Sequence, residues 1–345
     1  MASTNLDASA GVNDLKGALA GGLIHESVMN KIWDISKIPL TFTDLVGTDT
    51  GTRKNDYVEW TKDDLAAPDI TNAVVDGSDA SGNNTKLGTR VGNHHQISDK
   101  VVRVSHRADA SDTIGRAKEL SYQLMRRQQE LKRDVEAIAL TNQASVEDDG
   151  DTVPGKVGGF PSWIATTTRN MTTPGGFDTA TKLTVAATPA ASTALTETWV
   201  RECIDGVYLE GGDVTVMMSV PGVIGNFAQH LFTSSAQIAT ITSDQGKSRE
   251  KAAALSAVNV FITQHGTVRL LSNRLQQLES GAATVFLIDP EYVALTYLEG
   301  YRTDSLAKTG LANNRQMSVD WSLIVHTENA HAAIGGIDPT AAVTA

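Results

Sequence analysis

The hexapeptide SLAKTG at 305–310 carries the residue types of a serine hydrolase of the penicillin-recognising kind. Ser305 and Lys308 make an S-x-x-K, and Lys308 to Gly310 make a K-T-G. That chemistry needs the serine on the first turn of a helix, its lysine one turn later, and the K-T-G on a separate strand that closes the site from the far side. Here one lysine would serve both motifs, and no S-D-N occurs, Ser98-Asp99-Lys100 being the nearest string. The hexapeptide calls for another role.

The other candidate chemistries fail on spacing. Gly246-Lys247-Ser248 looks like the end of a phosphate-binding loop, but the position that needs its first glycine is Ile241 and no apolar strand precedes it. His94 and His95 are adjacent on an extended segment, where successive side chains point to opposite faces, so they cannot hold one ion together. His326 and His331 have odd spacing on a presumed strand. The acidic runs Asp76-Gly77-Ser78-Asp79 and Asp148-Asp149-Gly150-Asp151 lack the alternating ligands and closing glutamate of a calcium loop. Cys203 shares an apolar helical stripe with Trp199, Val200, Ile204 and Val207, which predicts a buried, inert thiol. No catalytic residue, cofactor or metal site is therefore expected.

Composition narrows the class further. The 345 residues suffice for one large domain or two lobes, and the formal charge of −11 disfavours tight polyanion binding, which needs clustered Lys and Arg. Aromatics are only 5% while Ala, Thr, Gly and Ser abound, a profile that suits long loops and arms buried against other chains. One cysteine allows no intrachain disulfide. The first residues do not read as a signal peptide, and no apolar run approaches the ~18 residues a membrane span needs. The expectation is a soluble protein kept in a cytoplasm.

The elements that would position these residues read as follows. A flexible arm (1–22) and a short helix (23–38) precede two extended stretches, Asp56 to Thr61 and Lys86 to Ser105, joined by a polar tip from Asp63 to Thr85. A connection this long without structure inside a compact domain implies work outside its own core. Apolar residues at three- and four-residue spacing, from Ile114 to Ile138, predict a helix over 111–144, capped by Ser111 or Asp112 and ~45–50 Å long. Lys132 with Glu136 and Arg126 with Glu130 are one turn apart and read as ion pairs. Arg126, Arg127, Lys132 and Arg133 read as a solvated basic face.

A second unit follows: a helix stopped by Gly211-Gly212, a strand from Val214 to Val220, a Pro221-Gly222 break and a helix from Val223 to Phe232. A polar loop (233–251) leads to strands Val258 to Thr263, Thr267 to Leu271 and Ala283 to Ile288, and a long strand runs from Met317 to His326. The order predicts an α+β fold with two lobes.

Five strings, VEWTKDDL, GNHHQISDKVVRVS, GRAKELSYQLMRRQQELKRDVE, DPEYVALTYLEGYRTDSLAKTG and WSLIVHTENAHAAIGGI, together resemble a family of tailed-bacteriophage major head proteins with the Hong Kong 97-type capsid fold. The resemblance runs from about residue 50 to 338; residues 1–22 and 165–194 match nothing in it. It implies an N-terminal arm (1–49), an extended loop lying across the adjacent subunit (50–105), a peripheral domain (106–194) with spine helix 111–144, an axial domain (195–285), and a return to the peripheral domain (286–345). It implies a chain that assembles as hexamers and pentamers into an icosahedral or prolate head around double-stranded DNA, in the virion, built in the bacterial host's cytoplasm. Scaffolding, portal and possibly decoration proteins are the implied partners, with weak nonspecific DNA contact and no membrane. Expected subunit contacts are Trp60, Lys86, Arg126, Arg127, Arg133, Lys247, Arg249, Arg302 and Lys308, and SLAKTG becomes a turn. An encapsulin-like cellular nanocompartment shell would share the fold, and a soluble serine hydrolase is the remaining alternative.

Overall fold

The computed structural model describes residues 40–51, 54–77, 79, 85, 87–111, 116, 118–233, 260–308 and 310–344. The expected arm at 1–22, the helix at 23–38 and nearly all of the polar loop at 233–251 lie outside them.

A short helix, α1 (Thr41–Val46), precedes the first strands. β1 (Tyr57–Lys62) and β2 (Thr89–His94) pair antiparallel, with Tyr57 opposite His94 and Lys62 opposite Thr89, as a two-stranded ribbon. The return stretch is not one strand. At His95 the chain changes partner, and β3 (Gln96–Ser105) runs beside a C-terminal strand instead. Ser105 then caps α2 (His106–Ala110), its Oγ accepting from the Ala108 N–H at 3.2 Å.

The long helix is shorter than expected. α3 spans Glu119–Ala139, 21 residues, or about 31 Å at ~1.5 Å per residue. Ser111 does not start it: extended backbone and an Oγ donated to Arg107 O make that serine the end of α2. At the other end Thr141 Oγ1 folds back onto Ala137 O and the chain leaves the helix at Leu140. Both expected ion pairs are also absent. Glu130 pairs with Arg127, three residues away, while Arg126 lies over the Tyr122 ring and Glu136 turns inward.

The Thr- and Ala-rich stretch folds as short strands: β4 (Thr168–Arg169), β5 (Met171–Thr173), β6 (Gly176–Asp178), β7 (Leu183–Val185) and β8 (Thr188–Pro189), with β5 paired to β8 and β6 to β7. The next unit is α4 (Glu197–Leu209), β9 (Val216–Ser219), α5 (Pro221–Thr233), β10 (Val260–Thr263), β11 (Gly266–Ser272) and β12 (Ala283–Ile288). Pro221 opens α5 instead of separating it from the strand, because a first-turn N–H has no helical acceptor to lose. The chain ends with β13 (Val293–Ser305), β14 (Ala312–Val325) and β15 (Ala332–Ile337). β14 begins five residues before the expected Met317.

Two sheets carry the structure. One has the order β10-β11-β9-β12-β15-β4, the other β13-β14-β3. Strand alternation in the first sheet feeds two separate cores. Met217, Val285, Leu287 and Ile334 face Val200, Cys203, Val207 and Phe227 of α4 and α5. Val216, Met218, Phe286, Ile288 and Ala333 face the opposite way, onto Leu131 and Val135 of α3, Leu295, Trp321 and Leu323 of the second sheet, and Phe160 of the turn at Phe160–Ser162. With both faces covered, these central strands read as nearly unbroken apolar runs.

Candidate intersubunit surface

The ribbon is fixed at its root and bare at its tip. Val58 is buried, and the half-buried Trp60 packs 5.4 Å from Trp163 while its Nε1 donates to His326 O at 3.2 Å. The Tyr57 ring packs tilted against His94 at 4.6 Å and its hydroxyl donates to Lys182 O at 3.1 Å; burial, with Glu59 adding, pushes that hydroxyl up to about 12. Burial also lowers the His94 pKa. Asn93 is fully buried. Its Nδ2 donates to Leu323 O at 2.8 Å and Gly158 O at 3.2 Å, and its Oδ1 accepts from the Gly158 N–H at 2.8 Å. Such a satisfied polar network fixes one arrangement. At Gly92 a Cβ would meet Val58 O at 2.6 Å, so only glycine lets the two strands approach here.

Beyond Lys62, whose Nζ donates to Asn329 Oδ1 at 3.1 Å, every residue of 63–77 is exposed, including Leu65, Ile70, Val74 and Val75. Apolar side chains left uncovered by their own chain, on a segment anchored so firmly at its base, mark a surface for another molecule.

The other expected contact residues are dispersed. Lys86, Lys247 and Arg249 lie outside the described residues. On α3, Arg126 and Arg127 are half-buried, the first over Tyr122 and the second with Glu130, and Arg133 is also half-buried, with no hydrogen bond at its buried Nε. Arg302 is exposed on β13, paired with Glu299 at 2.5 Å and Asp304 at 3.1 Å. Lys308 is exposed at the hairpin joining β13 to β14. Among the described ones, Trp60 lies on β1 and Arg127 lines a groove with β3.

SLAKTG is this hairpin's tip. Ser305 is the last residue of β13, opposite Arg315, whose Nη1 donates to the serine Oγ. A serine on a strand end, hydrogen-bonded to a guanidinium, has neither the helix nor the base that acyl transfer requires. A cleft of about 550 Å³ lies between the ribbon root and the β6–β7 ribbon, lined by Val91, Trp163, Phe177, Val325, Lys62 and Glu328. Of its three carboxylates, Glu328 accepts from the N–H groups of Ala165 and Thr166 at 2.6 and 3.1 Å, Asp178 accepts from the Ala180 N–H and the Thr181 hydroxyl at 2.9 Å, and Asp64 is exposed. Cys203 is buried and its thiol is pushed up to about 12, so it stays protonated. His95 Nδ1 sits 3.2 Å from Asp320, and His331, fully buried, accepts from the Asp289 N–H and is pushed down to about 4 by burial. Among the described residues no three His, Cys, Asp or Glu side chains converge as metal ligands.

The residue that sequence reasoning misplaced is Glu136. Assigned to a surface pair with Lys132, it is instead fully buried, accepting from the N–H groups of Phe42 at 3.1 Å and Thr43 at 3.4 Å and from Asn273 Nδ2 at 2.7 Å. It joins α3, the first turn of α1 and the segment after β11. Its position beside Val135, one turn from Leu131 and Ala139, was the available signal.

A family model described as SU10 major capsid protein matches residues 3–338. A curated relative, the major capsid protein of Escherichia phage Phieco32, is 43% identical over 88 residues, 26% of this chain; the match spans about a quarter of that relative's length, 25%. Among solved structures, a cyanophage A-1(L) capsid asymmetric unit superposes with TM-score 0.62 at 11% identity, over 92% of this chain and 98% of that one. A Gordonia phage Cozz chain gives 0.57 at 11% identity, over 100% and 98%. A SrpI encapsulin from Synechococcus elongatus PCC 7942 gives 0.54 at 11%, over 94% and 96%. At these identities the structures speak to the fold, which is the Hong Kong 97-type capsid fold.

Proposed function

The chain belongs to the SU10 major capsid protein family, and from that membership we propose that it builds the head shell of a tailed bacteriophage around double-stranded DNA. The family match over residues 3–338 carries the reading. In it, α3 is the spine of a peripheral domain with the β13-β14-β3 sheet, and the unit from α4 to β12 is the axial domain. Hexamers and pentamers close an icosahedral or prolate shell through many modest contacts. Roughly 800 Å² per partner suffices when each chain makes several.

The ribbon supports this. A rigid root with a polar tip that also bares Leu65, Ile70, Val74 and Val75 suits a loop that reaches onto a neighbour. Trp60 holds the root, and Lys86, Arg126, Arg127, Arg133, Lys247, Arg249, Arg302 and Lys308 are the other proposed contact residues. A net charge of −11 suits a container that holds DNA without gluing it, since few phosphates are neutralised. Scaffolding and portal proteins, with or without decoration proteins, are the proposed partners in the host cytoplasm, and the shell serves no catalytic step.

Electron microscopy with light scattering on the purified chain tests the proposal. Closed shells, tubes or rings are expected, and a monomer near 36.6 kDa under every condition refutes it. The encapsulin fold match motivates a second reading, a cellular compartment; shells from the native source that hold an enzyme in place of DNA would establish that one.

A further inference from the structure

The cleft between the ribbon root and the β6–β7 ribbon has a wall of fixed shape. Trp163 is 3% exposed, its Nε1 donates to Gly158 O at 3.3 Å, and its ring packs 5.4 Å from Trp60 and parallel to Phe177 at 5.6 Å. Val91, Val185 and Val325 extend the apolar lining. At about 550 Å³ the cleft falls in the range that takes small organic ligands, ~300–1,000 Å³, and it has the make-up of such sites, an apolar wall with a few polar groups.

Charge selects the ligand. Asp64, Asp178 and Glu328 line the cleft against two basic side chains, Lys62 and His326, and the Lys62 ammonium is directed to Asn329 Oδ1, outside the lining. The Ala180 N–H and the Thr181 hydroxyl hold the Asp178 carboxyl below the usual carboxylate range, so it is charged at neutral pH. Glu328 accepts from two N–H groups and the Thr166 hydroxyl, but a carboxylate has about four acceptor positions, so it and Asp178 can each take a further donor. An anion is repelled here. An inorganic cation would meet the carboxylates and leave the apolar wall unused. A cation with a hydrocarbon body uses both, its methylenes against the valines and its ammonium groups near the carboxylates and the electron-rich face of the half-buried Phe177.

We propose that this cleft binds an aliphatic polyamine, with the hydrocarbon chain along Val91, Val185 and Val325 and the charged nitrogens at Asp64, Asp178 and Glu328. All of its walls come from one chain, so the site forms without assembly and does not rest on the shell reading.

Spermidine is the probe. Added to the purified full-length chain at neutral pH and about 0.15 M salt, it should change tryptophan emission saturably, because Trp163 lines the cleft, with a Kd of ~0.1–1 mM that calorimetry reproduces. Val185→Arg sets a guanidinium at the cleft and should weaken binding at least ~10-fold, whereas Val153→Arg, the same charge change at a valine of similar exposure outside the lining, 43% against 47%, should alter it less than ~2-fold. Asp64→Asn, at an exposed side chain, should weaken binding ~3-fold to 10-fold and decides the matter if Val185→Arg folds poorly. A response that fails to saturate overturns the proposal, and so does equal weakening by the two arginine variants, which would leave surface charge alone. Magnesium chloride that displaces spermidine at equal ionic strength would assign the carboxylates to an inorganic ion. Binding that disappears when the chain assembles into shells would give the cleft to a neighbouring copy, and either result overturns the polyamine site.

Discussion

Removing the buried Glu136 carboxylate should cost more than any ion pair on the surface of α3. Glu136→Ala deletes three hydrogen bonds, from the Phe42 and Thr43 N–H groups and from Asn273 Nδ2. The two α1 amides have no alternative acceptor, because first-turn N–H groups lack intrahelical partners. Each buried, orphaned donor costs about 1–3 kcal/mol, and hydrogen bonds to a charged acceptor are at the strong end. Adding the void left by the side chain, we expect a loss of ~3–5 kcal/mol, a large share of the ~5–15 kcal/mol typical of a folded protein. Glu136→Gln keeps the shape and one acceptor but turns an N–H₂ toward donors, and should lose ~1–2 kcal/mol. Urea unfolding of the unassembled chain, followed by tryptophan fluorescence, measures both. An alanine variant within ~1 kcal/mol of the unmodified chain would refute the assignment of Glu136 as the joint between α1, α3 and the segment after β11.

Four further outcomes follow from particular contacts. Gly159→Ala places a Cβ 1.9 Å from Thr141 O, so the end of α3 must shift; a loss on the order of 3 kcal/mol or more is expected, and a near-neutral melting temperature would contradict it. Asn93→Leu is nearly volume-conserving but takes the partner from the buried Gly158 N–H and the Asn93 donor from Leu323 O, while Gly158 O keeps Trp163 Nε1, so it should cost ~2–4 kcal/mol in the same unfolding assay. His331 titrates near 6.5 when unfolded and about 4 when folded, so the unfolded chain binds the extra proton: its contribution is whole above pH 6.5 and is lost as pH falls toward 4, ~1.4 kcal/mol per pH unit and roughly 3 kcal/mol in all, a component that should vanish from the pH profile of His331→Gln. Cys203 should resist a thiol-specific reagent at pH 8 in the folded chain and react fully in denaturant; rapid native labelling would refute its burial.

Much of the architecture was legible in the sequence because it rests on periodicity. The Ala283–Ile288 strand carries its apolar run on its face, and Val200, Cys203, Ile204 and Val207 recur at helical spacing, so both elements sit where local pattern puts them. The shared lysine of SLAKTG already ruled out two motifs in one hexapeptide, and its place as a hairpin tip agrees. Element ends were less legible. Ser111 has the chemistry of a helix start, yet it closes α2, because a cap is defined by which backbone groups lie within reach and not by residue type.

What the sequence determined by itself is thus the local layer: strand and helix identities, the inert cysteine, the long polar tip, and a family likeness carried by intact strings. What only the tertiary structure decided is everything that depends on residues distant along the chain. Glu136 reads as a solvated helix charge until α1, 93 and 94 residues away, brings its amides to it. The return stretch reads as one strand until Asn93 bonds to Leu323, 230 residues on, and β3 departs beside β14. The physical reason is the same in both cases: a period records how a residue faces its own element, whereas burial and hydrogen-bond partners are set by which other surface arrives there.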